Sequence, residues 1–325
     1  MIKEVAIWRN LINDNDIETL NQAIAAGQGR RIIHLSETLH EHRYSEIAND
    51  IASREGIRLV LIAGPSSSGK TTSSKRLALH LRVDGLNPVV ISMDDYFVNR
   101  VNTPVDENGE YDFECLKALD VDFLNKQLKQ LIDGEEVEIP RYDFHLGERK
   151  FLGEKLRMKE GDVIIMEGIH GLNPELTPLV KDENKYKIYV SVLTPLAIDH
   201  YTTMNASDYR LLRRMVRDNQ FRGMSPEDTI LRWPSVRAGE EKYILPFKDN
   251  ADAQFNSALV YEMPMLKCYA EPLLQTIPRT SPAYGEALRL LEMIRSIIAM
   301  TPVETKNIPP TSIVREFIGN SGFSY

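Results

Sequence analysis

From Gly56 onward, short apolar runs rich in valine and isoleucine alternate with longer stretches of helical period. The runs are Leu59 to Ala63, Val89 to Ser92, Val163 to Met166 and Ile188 to Leu193. Each is too short for a buried helix, so each is expected as a sheet strand. Helices are expected at Thr71 to Val83, Cys115 to Ile132, Asp208 to Asn219, Met263 to Thr276 and Tyr284 to Met300. This alternation predicts an α/β fold, a mainly parallel sheet with crossover helices.

Two flanking segments read differently. In a leader of residues 1–56, Ile17, Leu20 and Ile24 share one face of a helix over Asp16 to Ala26, ended by Gly27 and Gly29, and Ser45 to Arg54 is expected as a second helix. His34, His40 and His42 match no metal-binding helix of the H-E-x-x-H type and are assigned no role. After a body of residues 57–300, residues 301–325 form a tail, read as extended over Thr301 to Pro310. Its apolar Phe317, Ile318, Phe323 and Tyr325 are expected to pack back on the body or on a partner.

Composition narrows the classes. The 325 residues carry 47 acidic and 39 basic side chains, a formal charge of −8, which argues against a surface built to grip nucleic acid or anionic lipid. Cys115 and Cys268 stand apart with no partner spacing, so neither a disulfide framework nor a structural zinc site is expected, as suits a reducing cytoplasm. No apolar run approaches the ~20 residues a membrane span needs.

Gly64-Pro65-Ser66-Ser67-Ser68-Gly69-Lys70-Thr71 satisfies G-x-x-x-x-G-K-[ST] between an expected strand and an expected helix. Glycines let consecutive N–H groups face a phosphate, and the following helix adds its positive end. Lys70 is placed to reach the terminal phosphates and Thr71 to ligate Mg²⁺; with Thr72 these residues form the expected nucleotide contact. The loop alone does not separate GTPase, motor ATPase and small-molecule kinase. No N-K-x-D signature stands at a strand end and no helicase box follows the third strand, so the first two classes lose weight.

Ligands of open parallel sheets gather at strand carboxyl ends. Asp94 and Asp95 follow one strand and Glu167 another. Phosphoryl transfer to a hydroxyl needs a carboxylate to accept its proton, and Mg²⁺ needs oxygen ligands. Asp94 is the candidate base and metal neighbour, Glu167 a candidate for the metal shell, and Asp95 reads as structural. Arg210, Arg213, Arg214 and Arg217 repeat at i, i+3, i+4 and i+7, so their guanidiniums are expected on one helix face aimed at an anion. With Arg222, Gly223 and the Met224-Ser225-Pro226 turn, this helix reads as a lid over a triphosphate. Tyr142-Asp143-Phe144-His145 combines stacking and hydrogen-bonding groups, as nucleobase sites do, but fits ordinary loop packing nearly as well.

Over Leu59 to Leu274 this ordered set resembles the uridine kinase and phosphoribulokinase family. Ser92-Met93-Asp94-Asp95-Tyr96-Phe97 is similar to the strand end that carries its catalytic aspartate, Ile139-Pro140-Arg141-Tyr142-Asp143-Phe144 to its I-P-x-Y-D-F segment and Glu167-Gly168-Ile169 to its E-G-I turn. Arg210 to Gly223 follows its arginine-rich lid. The resemblance implies a phosphate-loop NTPase three-layer sandwich with an ATP- and Mg²⁺-dependent kinase activity on the 5′-hydroxyl of uridine or cytidine. It gives Asp94 the role of base, Thr71 and Glu167 a shared Mg²⁺ with it, and Arg217 and Arg222 the ATP phosphates; Arg217 and Lys70 would act in catalysis. Tyr142 and His145 would contact the base, Arg214 the nucleoside side, and Glu114 the ribose.

Departures mark the acceptor side. The family's N-F-D-H-P segment is here Tyr111-Asp112-Phe113-Glu114-Cys115-Leu116, His145 stands nearer Tyr142 than the family's histidine, and Ile198 to Ser207 adds residues before the lid. Leader and tail resemble bacterial nucleoside kinases with threonyl-tRNA-synthetase-like regions, which makes the leader the remnant of an upstream module. Kinases for a sugar phosphate or pantothenate, and a nucleotide-dependent RNA-binding protein, are the alternative readings. A nucleoside is the expected partner, nucleic acid and membrane are not, and a homo-oligomer is left open.

Overall fold

A computed structural model describes residues 16–105, 109–143, 145–193, 197 and 203–324. Phe144, Tyr325 and half of the Ile198 to Ser207 insertion, residues 198–202, lie outside the described residues. Five strands form one parallel sheet in the order β2-β5-β1-β6-β7: β1 Leu59–Ala63, β2 Asn87–Ser92, β5 Asp162–Glu167, β6 Lys185–Ser191 and β7 Ala253–Asn256. β1 lies at the centre, and all its residues are buried. Val60 and Ile62 point into one core and Leu59 and Leu61 into the other, as the alternation of strand side chains requires. The expected three layers are present.

The larger core holds α1 Ile17–Ala25, α2 Gly29–Ser53, α3 Lys70–Val83, α5 Ala206–Phe221, α7 Glu262–Gln275 and α8 Tyr284–Arg295. The smaller lies under α4 Val121–Ile132 and a hairpin of β3 Glu136–Asp143 and β4 Glu148–Arg157. Leader, body and tail share the larger core, for Ile33, Leu77, Met215 and Phe317 all belong to it.

Several boundaries differ from the sequence reading, each for a physical reason. Gly29 opens α2 rather than closing α1, and α2 runs unbroken through the stretch assigned no element. Its buried stripe includes Ser36, Glu37 and His40, which apolar periodicity does not see. The expected Cys115 helix begins only at Val121, where Asp120 caps it by accepting the Phe123 N–H at 3.1 Å. β7 and the charged hairpin carry too few apolar residues to read as strands. α6 Pro226–Tyr243 replaces the expected hinge, capped by Ser225 with Pro226 in its first turn. The tail is not extended: Thr301 and Glu304 form a capping box for α9 Pro302–Thr305, and α10 Arg315–Ile318 follows. Phe317 and Ile318 do pack back on the body.

Candidate functional site

The phosphate loop leaves β1 at Ala63 and enters α3 at Lys70. Its curl has little steric freedom. A Cβ on Gly64 would stand 2.0 Å from the Val190 carbonyl oxygen, and Gly69 takes φ +88° with Ile313 close against it. Ser67 adopts φ 57°, which a side chain disfavours, and its carbonyl is held from behind. Arg213 Nη1 donates to Ser67 O at 3.2 Å and Arg210 Nη1 to Ser66 O at 3.3 Å, while Lys70 Nζ reaches Pro65 O at 3.2 Å.

That arrangement corrects the arginine stripe. Arg210 and Arg213 are buried and paired with Glu240 and Glu262, so two of the guanidiniums brace the loop instead of facing an anion. Nor is α5 a free-standing lid, because most of its residues are buried in the larger core. Arg214, Arg217 and Arg222 do reach the cavity beside the loop. Asp218, with its side chain 1% exposed, gathers them. Its Oδ1 accepts from Arg217 Nε at 2.8 Å and lies 3.6 Å from Arg222 Nε, and its Oδ2 lies 3.2 Å from Arg214 Nε.

The cavity, of about 260 Å³, brings Lys70, Thr71, Asp94, Glu114 and Glu167 together with those arginines. Thr71 Oγ1 donates to Glu167 Oε1 at 3.1 Å. Burial raises the Glu167 pKa to about 7 against the pull of Lys70, with Asp94 and Glu316 adding to the rise. Asp94 opens onto the cavity; enclosure by the walls raises its pKa, opposed chiefly by Lys70. Burial likewise raises Glu114, opposed by Arg214 and Lys70, and lowers Lys70. Burial is thus the largest cause of each carboxylate's rise, and the lysine and arginines on the same walls oppose it.

Other expected residues fall elsewhere. Tyr142 and His145 are not on the cavity wall. The Tyr142 ring lies behind Phe97 at 5.6 Å, with its N–H on Asp95 Oδ1 at 3.1 Å, and His145 is exposed in the hairpin turn with its N–H on Asp143 Oδ1. Asp95 also accepts from Arg141 Nη1 at 3.0 Å, a bracing role. Thr72 is fully buried, and its Oγ1–H and N–H donate to Glu316 Oε2 at 2.6 and 3.3 Å. Sequence reasoning missed Glu316, Asp218 and His170. Glu316 stands alone in the tail and offered no signal, whereas Asp218 sits between Arg217 and Arg222, and His170 follows Glu167 in a strand-end turn where ligand contacts are expected.

A phosphate loop on a central parallel strand, carboxylates at neighbouring strand ends and arginines facing the same cavity define a phosphate-loop kinase, a phosphotransferase acting on an alcohol. The chain belongs to the phosphoribulokinase/uridine kinase family, whose pattern it matches over residues 59–263. A uridine kinase of Staphylococcus aureus (strain JH9) is 32% identical over 195 residues, covering 60% of this chain and 84% of that one. Among solved structures, a possible uridine kinase from Bacillus stearothermophilus is 21% identical with a TM-score of 0.45, covering 66% of this chain and 97% of the other. A putative fructose transport system kinase from Silicibacter sp. TM1040 is 19% identical with a TM-score of 0.46, covering 65% and 98%.

Proposed function

We propose that the protein transfers the γ-phosphoryl group of ATP to the 5′-hydroxyl of a pyrimidine nucleoside, uridine or cytidine, in the cytoplasm. The observation that carries this reading is the convergence of the phosphate loop, Asp94, Glu167 and three arginines on one cavity. Lys70 and the N–H groups of Ser66 to Thr72 receive the triphosphate, with Arg217 and Arg222 on its outer side. Asp94 orients the attacking hydroxyl and takes its proton, which leaves as the oxygen bonds to phosphorus and the bridging oxygen departs with ADP. Enclosure raises the proton affinity of Asp94, as a base requires. Phe97 and Phe113 offer apolar surface to an acceptor, with Glu114 and Arg214 as its polar contacts.

The donors present suit Mg²⁺. Thr71 and Glu167 are joined directly and Asp94 faces the same cavity, so a hydroxyl and two carboxylates offer a hard cation its oxygen ligands. Among the described residues no three His, Cys, Asp or Glu side chains converge as a metal cage, consistent with an ion that takes one or two carboxylates and fills its shell with phosphate and water. Bound there, Mg²⁺ would offset the charge on the β- and γ-phosphates. We assign the chemistry to residues 57–300, with the leader and tail as flanking parts.

Asp94→Asn tests the assignment. It is expected to keep ATP binding in calorimetry and to lose turnover by a factor of about 100 or more, the scale of general-base catalysis. Turnover near the wild-type rate would remove Asp94 from its role.

A further inference from the structure

The tail carries a carboxylate into the phosphate site. α10 has only four residues, yet its surroundings fix it on every side. Ser312 Oγ meets Tyr261 Oη at 3.0 Å, Ile313 lies against Gly69 of the loop, and the Arg213 guanidinium lies over the Phe317 ring at 5.1 Å. Gln220 Nε2 of α5 donates to Ile318 O at 3.4 Å, and Arg315 Nη2 donates to Ile308 O at 2.8 Å. Residues 312–314 and 317–319 are buried, whereas Glu316 between them is half-buried. The backbone is thus held by the same loop and helix that build the phosphate site, and the Glu316 side chain reaches from it to Thr72.

The contact takes donors that a nucleotide would use. Thr72 is the third residue of α3, so its N–H has no carbonyl to meet within the helix. A phosphate loop offers such N–H groups to the α- and β-phosphates. Here Glu316 Oε2 accepts that N–H at 3.3 Å and the Thr72 hydroxyl at 2.6 Å. A carboxylate suits the positive end of the helix as a phosphate does. Glu316 also has room to turn away. It lines both the 260 Å³ cavity and an adjoining one of about 910 Å³ that shares Thr71, Asp94, Glu167, Arg217 and Arg222 with it. Lys75 and Arg315 stand in the wall of the larger cavity, so a carboxylate turned into it meets cations while α10 stays in place. Glu316 lies beyond residues 59–263, so the contact is added to the family pattern rather than part of it.

We propose that Glu316 is an autoinhibitory carboxylate, which occupies the place of a nucleotide phosphate at the start of α3 and swings into the adjoining cavity when the donor binds. This rests on the kinase reading above and adds regulation to its donor site. The apparent nucleotide affinity is then the intrinsic affinity reduced by the fraction of protein in which Glu316 has left Thr72.

The test uses the full-length protein with two readouts, calorimetric ATP affinity in the presence of Mg²⁺ and the melting temperature without nucleotide. Glu316→Gln keeps the shape and removes the charge; Glu316→Ala removes the group and serves as the test if the glutamine variant does not fold. Each is expected to bind ATP more tightly by a few-fold and, having lost the contact with Thr72, to melt about 2 °C or more below wild type when empty. These opposite signs identify a competitor. Weaker ATP binding with the lower melting temperature would make Glu316 a support of the loop and overturn the proposal. Tighter binding at an unchanged melting temperature would overturn it too, since the charge would then act from a distance without holding Thr72. A wild-type protein that binds GTP and not ATP overturns the choice of donor instead, and the same two readouts with GTP still decide the role of Glu316.

Discussion

Replacing Glu262 by glutamine separates two views of the arginine stripe on α5. Arg213 and Glu262 are both fully buried, joined through Arg213 Nε to Oε1 and through Nη2 to Oε2 at 2.7 Å. The same guanidinium donates to Ser67 O, Ser257 Oγ and Ser257 O, and lies over the Phe317 ring at 5.1 Å. If Arg213 braces the loop, Glu262→Gln strands a buried cation, and breaking such a pair costs about 3 to 5 kcal/mol. That is a large share of the ~5 to 15 kcal/mol by which domains of ordinary stability stay folded. Urea unfolding followed by circular dichroism reads it as a lower midpoint at unchanged slope. The paired replacement Arg213→Met with Glu262→Leu is expected to recover most of the stability, since apolar groups of similar size can replace a buried pair. It would not recover nucleotide affinity, because Ser67, held at φ 57°, loses the donor on its carbonyl. An arginine aimed at phosphate predicts the reverse, an intact fold with lost nucleotide binding. A Glu262→Gln protein within about 1 kcal/mol of wild type would refute the bracing argument.

Three further outcomes follow from the same contacts. Asp218→Asn removes the buried carboxylate that Arg214, Arg217 and Arg222 share, and should raise the ATP KM by about 10-fold or more; an unchanged KM would show that the arginines hold their places without it. Glu316→Ala frees the Thr72 N–H and hydroxyl that the proposed nucleotide needs, so calorimetry should find ATP bound more tightly by a few-fold, and weaker binding would mean that Glu316 supports the loop. Burial and the charges of Arg76 and Arg213 lower His40 to about 3, against backbone contacts at Ala258 and Asn256 that raise it. Between about 3 and the usual 6.5 the unfolded chain therefore binds the extra proton, so stability falls as pH drops through that window. His40→Gln should flatten the melting temperature over that range, and an unaltered slope would exclude His40 as its source.

Chemistry at strand ends was more legible than the shape around it. Gly64 to Thr71 announces a phosphate site because loop, strand and helix requirements coincide in one short segment, and Asp94 and Glu167 follow from where a parallel sheet binds ligands. Helical spacing placed Arg210 and Arg213 on one face with Arg214 and Arg217, but spacing cannot show which guanidiniums meet Glu240 and Glu262 from distant helices. Tyr142 and His145 belong to the hairpin of β3 and β4, which holds them off the cavity wall. Glu316 lies 244 residues from its partner Thr72, a pairing only the folded chain brings about.

The central claim is that this cavity phosphorylates a pyrimidine nucleoside. Purified protein given uridine, ATP and Mg²⁺ should yield UMP and ADP in equal amounts, with cytidine as the other accepted substrate and purine nucleosides poor ones. ADP release driven by a sugar phosphate or pantothenate, with none on uridine or cytidine, would contradict it.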